Sequence, residues 1–213
     1  KDGLEVYRDI DSNGNNRADQ YRWFHGAGSR WGIDRDEDGK IDAWKVISAE
    51  EVSAEIVASL AARDIDRFLR VALTPTELRT LGLGAEKAKA IEGKIEDLEE
   101  QFKQLASAQK AVQAGTKWMQ FSASRPGIVP SGTAGSTKDL EVYENVVAIT
   151  ETDGQHGQVQ IGTLVKVGDT WRAIQLPTVP EDGQEEIAAS GEFFNKAPTV
   201  RQPEMPQTAP SDA

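Results

Sequence analysis

Short runs in which apolar and aromatic residues alternate with polar ones open the chain, and two stretches dominated by Asp, Asn and Gly interrupt them. Leu4-Glu-Val6-Tyr7-Arg-Asp-Ile10, Ala18-Asp-Gln-Tyr21-Arg-Trp23-Phe24, Arg30-Trp31-Gly-Ile33 and Ile41-Asp-Ala-Trp44-Lys-Val46-Ile47 have the β-branched and aromatic content of strands. They predict two strand-loop-strand units, repeated 23 residues apart from Asp11 to Asp34.

At Ser48 the period changes. Ser48 and Glu51 make a capping box, and Val52, Ile56 and Leu60 follow at four-residue steps. Ile65, Phe68, Leu69 and Leu73 continue the apolar face after Asp64. Thr74-Pro75-Thr-Glu77 starts a second helix that Gly82 and Gly84 end. A long helix is then expected over about 85–113, with Ile91, Ile95, Leu98, Phe102 and Leu105 on one stripe. Its spacing also suits a coiled-coil seam, but two heptads and Gly93 favour packing on the chain's own core. From Lys117 the pattern is strand-like: 118–122, 140–150, the clean alternation of Val159, Ile161, Thr163, Val165 and Val167, then a turn at Gly168-Asp169 into 171–176. The Gly- and Pro-rich segment 125–138 reads as a long loop. The expected architecture is α+β: a small β-hairpin module over 1–47, then a domain over 48–179 with helices (49–113) followed by a four-stranded antiparallel sheet (117–177). Beyond it, 180–213 is acidic and carries Pro180, Pro198, Pro203, Pro206 and Pro210, the composition of a linker or tail. Phe193-Phe194 is the one part of it expected to tuck onto the domain.

The two interrupting stretches, Asp11-Ser-Asn-Gly-Asn-Asn-Arg-Ala-Asp19 and Asp34-Arg-Asp-Glu-Asp-Gly-Lys-Ile-Asp42, align without a gap. Asp11, Asn13, Asn15 and Asp19 match Asp34, Asp36, Asp38 and Asp42, the alternating short oxygen donors that a hard divalent cation requires. Asn16 and Gly39 suit the left-handed residue of such a turn, and the backbone carbonyls of Arg17 and Lys40 fall at the seventh position. Both loops depart from the EF-hand: the twelfth position holds Arg22 or Lys45 in place of a bidentate glutamate, and strands flank the loop where helices should. A second frame in the first loop, starting at Asp9, also places acids at alternate positions. The competing explanation is a pair of metal-free turns, since Asp, Asn and Gly dominate turns for conformational reasons. Three neighbouring carboxylates at 34, 36 and 38 repel one another without a cation, which favours one or two Ca2+ ions as cofactor. The first loop, with two Asn for two Asp, should bind more weakly.

The absence of cysteine removes disulfides, thiolate metal sites and cysteine nucleophiles from this chain. A net charge of −11 argues against nucleic acid or an anionic membrane as partner, and no apolar run is long enough to span a bilayer. The chain opens at Lys1-Asp-Gly already in strand-like sequence, which reads as a piece of a longer protein. Weak calcium loops are useful where calcium is millimolar, so the expected location is extracytoplasmic, in the periplasm or cell envelope.

Gly3-Leu-Glu-Val-Tyr-Arg-Asp-Ile-Asp11, Tyr21-Arg-Trp-Phe24, Arg30-Trp-Gly-Ile-Asp34 and Asp42-Ala-Trp-Lys45 resemble the N-terminal region of large bacterial envelope proteins that end in a thioredoxin-like or redoxin domain. Val142-Tyr-Glu-Asn-Val-Val147, the run from His156 to Asp169, and Trp171-Arg172 are similar to that region as well, so the resemblance covers about 3–177. It implies a non-catalytic region whose partners are other domains of the same longer chain or another envelope protein, with redox chemistry downstream on cysteines this chain lacks. The order of helices then curved sheet also resembles the nuclear transport factor 2-like cone. That comparison implies an alternative function, binding or hydrolysis of a small molecule in a mouth lined by Trp118, Tyr143 and Trp171, residues that could equally be core. Catalytic candidates are few. His25 and His156 lie in connections, Asp64, Asp66 and Glu151 read as solvated surface acids, and no phosphate loop, nucleophile elbow or zinc motif occurs.

Overall fold

The computed structural model describes residues 4–24, 29–180 and 191–194. The opening Lys1-Asp-Gly, His25 and most of the expected tail, 181–190 and 195–213, lie outside the described residues.

Four short strands, β1 (Tyr7–Ile10), β2 (Gln20–Trp23), β3 (Arg30–Ile33) and β4 (Ala43–Ile47), form an antiparallel meander. Helices follow: α1 (Ala49–Ala62), α2 (Ile65–Leu69), α3 (Pro75–Thr80), α4 (Ala85–Ile95) and α5 (Leu98–Ala108). The chain returns to strands in β5 (Lys117–Ser122), β6 (Gly127–Val129), β7 (Leu140–Thr152), β8 (Gln155–Val167) and β9 (Thr170–Ala173). The segment expected as a plain loop therefore holds β6 and a 3-10 turn at Thr133–Gly135.

The separation into a hairpin module and a four-stranded sheet is incorrect. All nine strands belong to one mixed sheet in the order β1-β2-β3-β4-β9-β8-β7-β5, with β6 also paired to β7. The join is parallel, Ile47 opposite Thr170, with the Ile47 N–H donating to the Asp169 carbonyl at 3.3 Å. A pairing between residues more than a hundred positions apart leaves no trace in local periodicity. The rest of the β9 edge is taken by the segment after α2: Leu73 N–H donates to the Ala173 carbonyl (2.8 Å), and Ala173 N–H to that of Val71 (2.9 Å).

Local chemistry accounts for the helix ends. Ser48 caps α1 by accepting from Glu51 N–H, and Arg63 closes it in the left-handed conformation. Thr74 and Glu77 form a reciprocal capping box at α3, with Pro75 at its first position. The single long helix expected over 85–113 is two. Glu96 is extended and Asp97 has φ 58°, so α4 buries Ile91 and Ile95 while α5 starts afresh and buries Leu98, Phe102 and Ala106. Gly93, the expected weak point, lies within α4. The β7–β8 hairpin turns on Asp153-Gly154, both with positive φ, the requirement of a two-residue type I′ turn. His156 is thereby an exposed strand residue opposite Glu151 and outside the turn.

Helix α1 covers the sheet. Val52, Ile56 and Leu60 are wholly buried, as are Ile47, Val142, Val146, Ala148, Val159 and Ile161. Phe68 of α2 stacks on Phe102 of α5 at 4.9 Å, joining the outer helices to that core. The short segment 191–194 docks on the outside. Glu192 accepts from Lys87 (2.6 Å) and from Lys94, Glu144 accepts the N–H groups of Phe193 and Phe194, and Phe193 packs on the core beneath Lys87.

Two outcomes test this architecture. Ile47→Ala should cost about 2–5 kcal/mol in denaturant unfolding, and meander and helical layer should unfold in one transition; two separated transitions would show that the join does not couple them. The second concerns the docked segment. Burial pushes the Glu192 carboxyl up, and hydrogen bonds from Lys87 and Lys94 more than reverse this, leaving it below its ordinary 4.5. A lowered folded-state pKa stabilises docking above the ordinary value, and the contribution is lost as pH falls through the lowered one. The Phe193 and Phe194 amide resonances should move toward unstructured positions as acidification passes through the lowered Glu192 pKa, and Glu192→Gln should produce the same spectrum at neutral pH.

Candidate metal centre

The meander places its two acidic loops side by side. The first joins Ile10 to Gln20 and the second joins Ile33 to Ala43, and because Gln20 pairs with Ile33 both emerge from one end of the sheet. Asp34 N–H donates to the Asp19 carbonyl at 2.9 Å, which continues the β2–β3 pairing into the loops. Gly32 allows the second loop to fold back: a side-chain carbon there would lie 2.5 Å from Ile41 Cδ1.

Within each loop the backbone amides turn onto the loop's own side chains, and five of these bonds repeat at equivalent positions. Asp11 accepts from Asn15 N–H (3.3 Å) and Asn16 N–H (2.8 Å), as Asp34 does from Asp38 (3.2 Å) and Gly39 (2.8 Å). Asn13 accepts from Asn15 N–H and Asp36 from Asp38 N–H; Asn15 accepts from Arg17 N–H and Asp38 from Lys40 N–H, both at 2.8 Å. The closing acid reaches back to the second position, Asp19 to Ser12 N–H (3.1 Å) and Asp42 to Arg35 N–H (2.6 Å). Both loops take two left-handed residues, Gly14 and Asn16 in one and Glu37 and Gly39 in the other. This pattern starts at Asp11; Asp9 stands in β1 opposite Tyr21.

The carboxylates differ in availability. Asp34, Asp36 and Asp42 can each bring one oxygen to within 4.8 Å of the other two, and this cluster could hold a metal ion. Oxygens 2.3–2.6 Å from one cation are separated by at most about 5 Å, so the spacing fits. Asp34 is fully buried, while Asp36 and Asp42 are exposed. Asp38 stands apart from the three: its other oxygen accepts from the Lys40 ammonium (2.9 Å), and this contact holds its carboxyl below the usual range. In the first loop Asp19 is occupied twice by Ser12, through N–H and hydroxyl. Asp11 receives three backbone N–H groups, from Gly14, Asn15 and Asn16, and lies below its ordinary pKa: burial, the largest single influence, raises it, and the backbone bonds together more than offset that. Burial, then Asp34, Asp9, Asp19 and Asp38, push the Tyr21 phenol up, so acids of both loops gather around one ring.

One residue outside the expected set connects the loops. Glu37 accepts from the side-chain amides of both Asn13 (2.9 Å) and Asn15 (2.6 Å). Their amide nitrogens thus face the second loop while their oxygens serve the first. The aromatic residues expected to line a mouth are placed otherwise. Trp118 Nε1 donates to Ser53 Oγ of α1 at 2.9 Å, Trp171 is buried, and Tyr143 packs between Phe121 (5.3 Å) and Trp171 (4.9 Å). Two cavities occur elsewhere, along the seam between meander and helices, and neither is lined by these three rings. The acids of that seam had a sequence signal: Glu51 and Glu55, one turn apart on the same buried helix face as Val52 and Ile56, are misplaced charges unless paired. No family model, no curated protein and no solved structure matches this chain. No helix among the described residues is long and apolar enough to cross a membrane.

The cross-loop role of Glu37 is separable from its backbone strain. Glu37→Ala should lose about 1 kcal/mol in thermal unfolding, for two exposed hydrogen bonds. Glu37→Gly should recover about 1 kcal/mol of that, since φ at this position is +60° and glycine adopts it without penalty. Equal stability of the two variants would contradict this account.

Proposed function

We propose that the meander is a calcium-binding structural module, with Asp34, Asp36 and Asp42 as the principal ligands and the Lys40 carbonyl and Asp38 completing the second loop. The observation that carries this reading is the convergence of Asp34, Asp36 and Asp42 at the end of a loop whose backbone hydrogen bonds repeat, position for position, in its neighbour. A cation there offsets the repulsion among these acids and ties the start of β4, through Asp42, to the end of β3, through Asp34. The exposed Asp38–Lys40 pair is a weak competitor for the metal, since solvent screens an ion pair at the surface. The first loop, with Asp11, Asn13, Asn15 and the Arg17 carbonyl, has less charge and is the weaker site.

An all-oxygen donor set of short acids at a surface turn suits Ca2+, which accepts irregular six- to eight-fold coordination, better than Mg2+. With dissociation constants of about 0.1–1 mM, as in extracellular modules, 1 mM calcium adds about 0.4–1.4 kcal/mol to stability. That favours an extracytoplasmic setting and a role in fixing the geometry between this α+β unit and its partner, either a further domain of a longer chain or another envelope protein. The resemblance to the N-terminal region of envelope redoxin-domain proteins supports the same reading. A ligand held against Trp118, Tyr143 and Trp171 has less support, because those rings are engaged with Ser53, Phe121 and one another.

Calcium titration calorimetry on chelator-treated protein, with thermal melts in calcium and in chelator, tests the module. We expect at least one site and a rise in melting temperature of a few degrees, with magnesium ineffective at the same concentration. Asp36→Ala should abolish the second-loop response while leaving the fold intact, and Asp38→Ala should weaken it. An unchanged calcium response in Asp36→Ala would overturn the assignment.

A further inference from the structure

We propose that the cavity between the meander and helices α1 and α2, walled by Trp23, Arg30, Trp44, Glu55, Arg67 and Arg70, binds the carboxylate of a small organic acid. This inference does not rest on the calcium reading, because none of its walls is a proposed metal ligand.

Ion pairing around the cavity is incomplete. Glu55, nearly fully buried, takes both arms of Arg67 (2.7 and 2.9 Å) and one contact from Arg30 (3.2 Å). Arg30 also reaches Glu51 (3.3 Å) and stacks over the Trp23 ring at 4.7 Å. Arg70 has no acid within ion-pair distance among the described residues. Three guanidinium groups thus stand around two paired carboxylates, with Arg70 outside those pairs and Asp42 and Asp66 beside it in the adjoining cleft.

Hydrogen bonding is incomplete there too. Among the described residues the buried side-chain nitrogens without a partner are Arg30 Nε, Trp44 Nε1 and Arg70 Nε, and all three residues line this one cavity. Each is a donor with no acceptor capacity and is itself closed to solvent, so the residues around this cavity carry unmet donors that call for lone pairs. Trp44 is 93% buried, so the bulk solvent that would otherwise satisfy its indole is largely excluded. Water fills such a site poorly, because every water brings two hydrogens that need acceptors. A carboxylate brings lone pairs alone, about four sites on two oxygens, and a negative charge for the guanidinium of Arg70, which has no ion-pair partner among the described residues.

The remaining walls define what the carboxylate is attached to. Trp23 and Trp44 meet edge to face at 6.2 Å, and Ile41 stands beside them, so the lining sets ring and aliphatic surface next to the guanidinium groups. Inorganic phosphate would meet that wall with polar oxygens and, as a dianion, exceed the charge available. The volume, about 210 Å3, lies below the roughly 300–1,000 Å3 of drug-sized pockets, which restricts the ligand to a small acid. Trp44 and Arg70 also line a neighbouring cleft of about 510 Å3 that offers room for a longer tail.

The test uses the full chain at constant calcium and ionic strength, titrated with benzoate, acetate or phosphate by calorimetry, while NMR follows the Trp44 indole N–H, identified by its loss in Trp44→Phe. Benzoate should bind saturably, shift that resonance and exceed acetate in affinity. Arg70→Met should weaken benzoate at least tenfold and, without ligand, melt no lower than the parent, because an uncompensated half-buried charge is gone. Should Arg70→Met fail to fold, Trp44→Phe carries the test, with a threefold or greater loss of benzoate affinity expected from deletion of a single donor. Absence of saturable binding, unchanged benzoate affinity in either variant, or phosphate binding in preference to benzoate would each overturn the proposal.

Discussion

The seam between β4 and β9 is the constraint on which the rest of the molecule depends. It is a single parallel contact, Ile47 against Thr170, yet everything before it is held to everything after it there. So thin a backbone join holds because the groups around it are buried: Ile47 completely, Trp44 beside it, and Glu55 of α1 bridging Arg30 of β3 to Arg67 of α2. Buried ion pairs of this kind contribute little net stability but cost several kcal/mol when one member is removed, so they favour one arrangement over others. The seam therefore fixes how the meander sits on the helices, and it leaves two cavities along its length.

The loops at the free end of the meander solve a different problem. A tight turn of seven or more residues leaves backbone N–H groups without strand partners, and here short Asp and Asn side chains accept them. That use of the carboxylates is compatible with metal binding, because an oxygen that accepts one N–H retains a lone pair. It also pre-forms the loop, lowering the ordering cost that a flexible acidic loop would meet on binding a cation. Glu37 extends the same logic across the pair of loops: by accepting both Asn amides of its neighbour it fixes which way those amides face. The loops are thus one unit, although the repeat in the sequence presents them as two.

Seam and loops are close enough to share residues. Ile41 lies at the end of the second loop, covers Gly32 and walls the arginine-rich cavity, and Asp42, a candidate ligand, lines the neighbouring cleft. Ordering of the second loop by a cation would stiffen one wall of both cavities. Metal binding and ligand binding, though separately assigned, would then be linked through the path from Ile41 to Trp44.

What the sequence determined by itself was whatever depends on neighbours along the chain. Most strand and helix segments, the caps at Ser48 and Thr74, the turn at Gly168-Asp169 and the two aligned loops were legible because capping, periodicity and turn chemistry act over a few residues. Locality also explains the errors. The stripe through Ile91, Ile95, Leu98, Phe102 and Leu105 reads as one helix, whereas the chain breaks at Asp97 and Phe102 stacks on Phe68 of α2. The four-stranded sheet became nine strands because Ile47 meets Thr170 by tertiary contact alone. Tertiary structure likewise brought Asp34, Asp36 and Asp42 within reach of one another, and it brought Arg30, Trp44, Glu55, Arg67 and Arg70 around one cavity. Charge balance and unmet hydrogen bonds are sums over groups distant in sequence, and they exist only once the chain has folded.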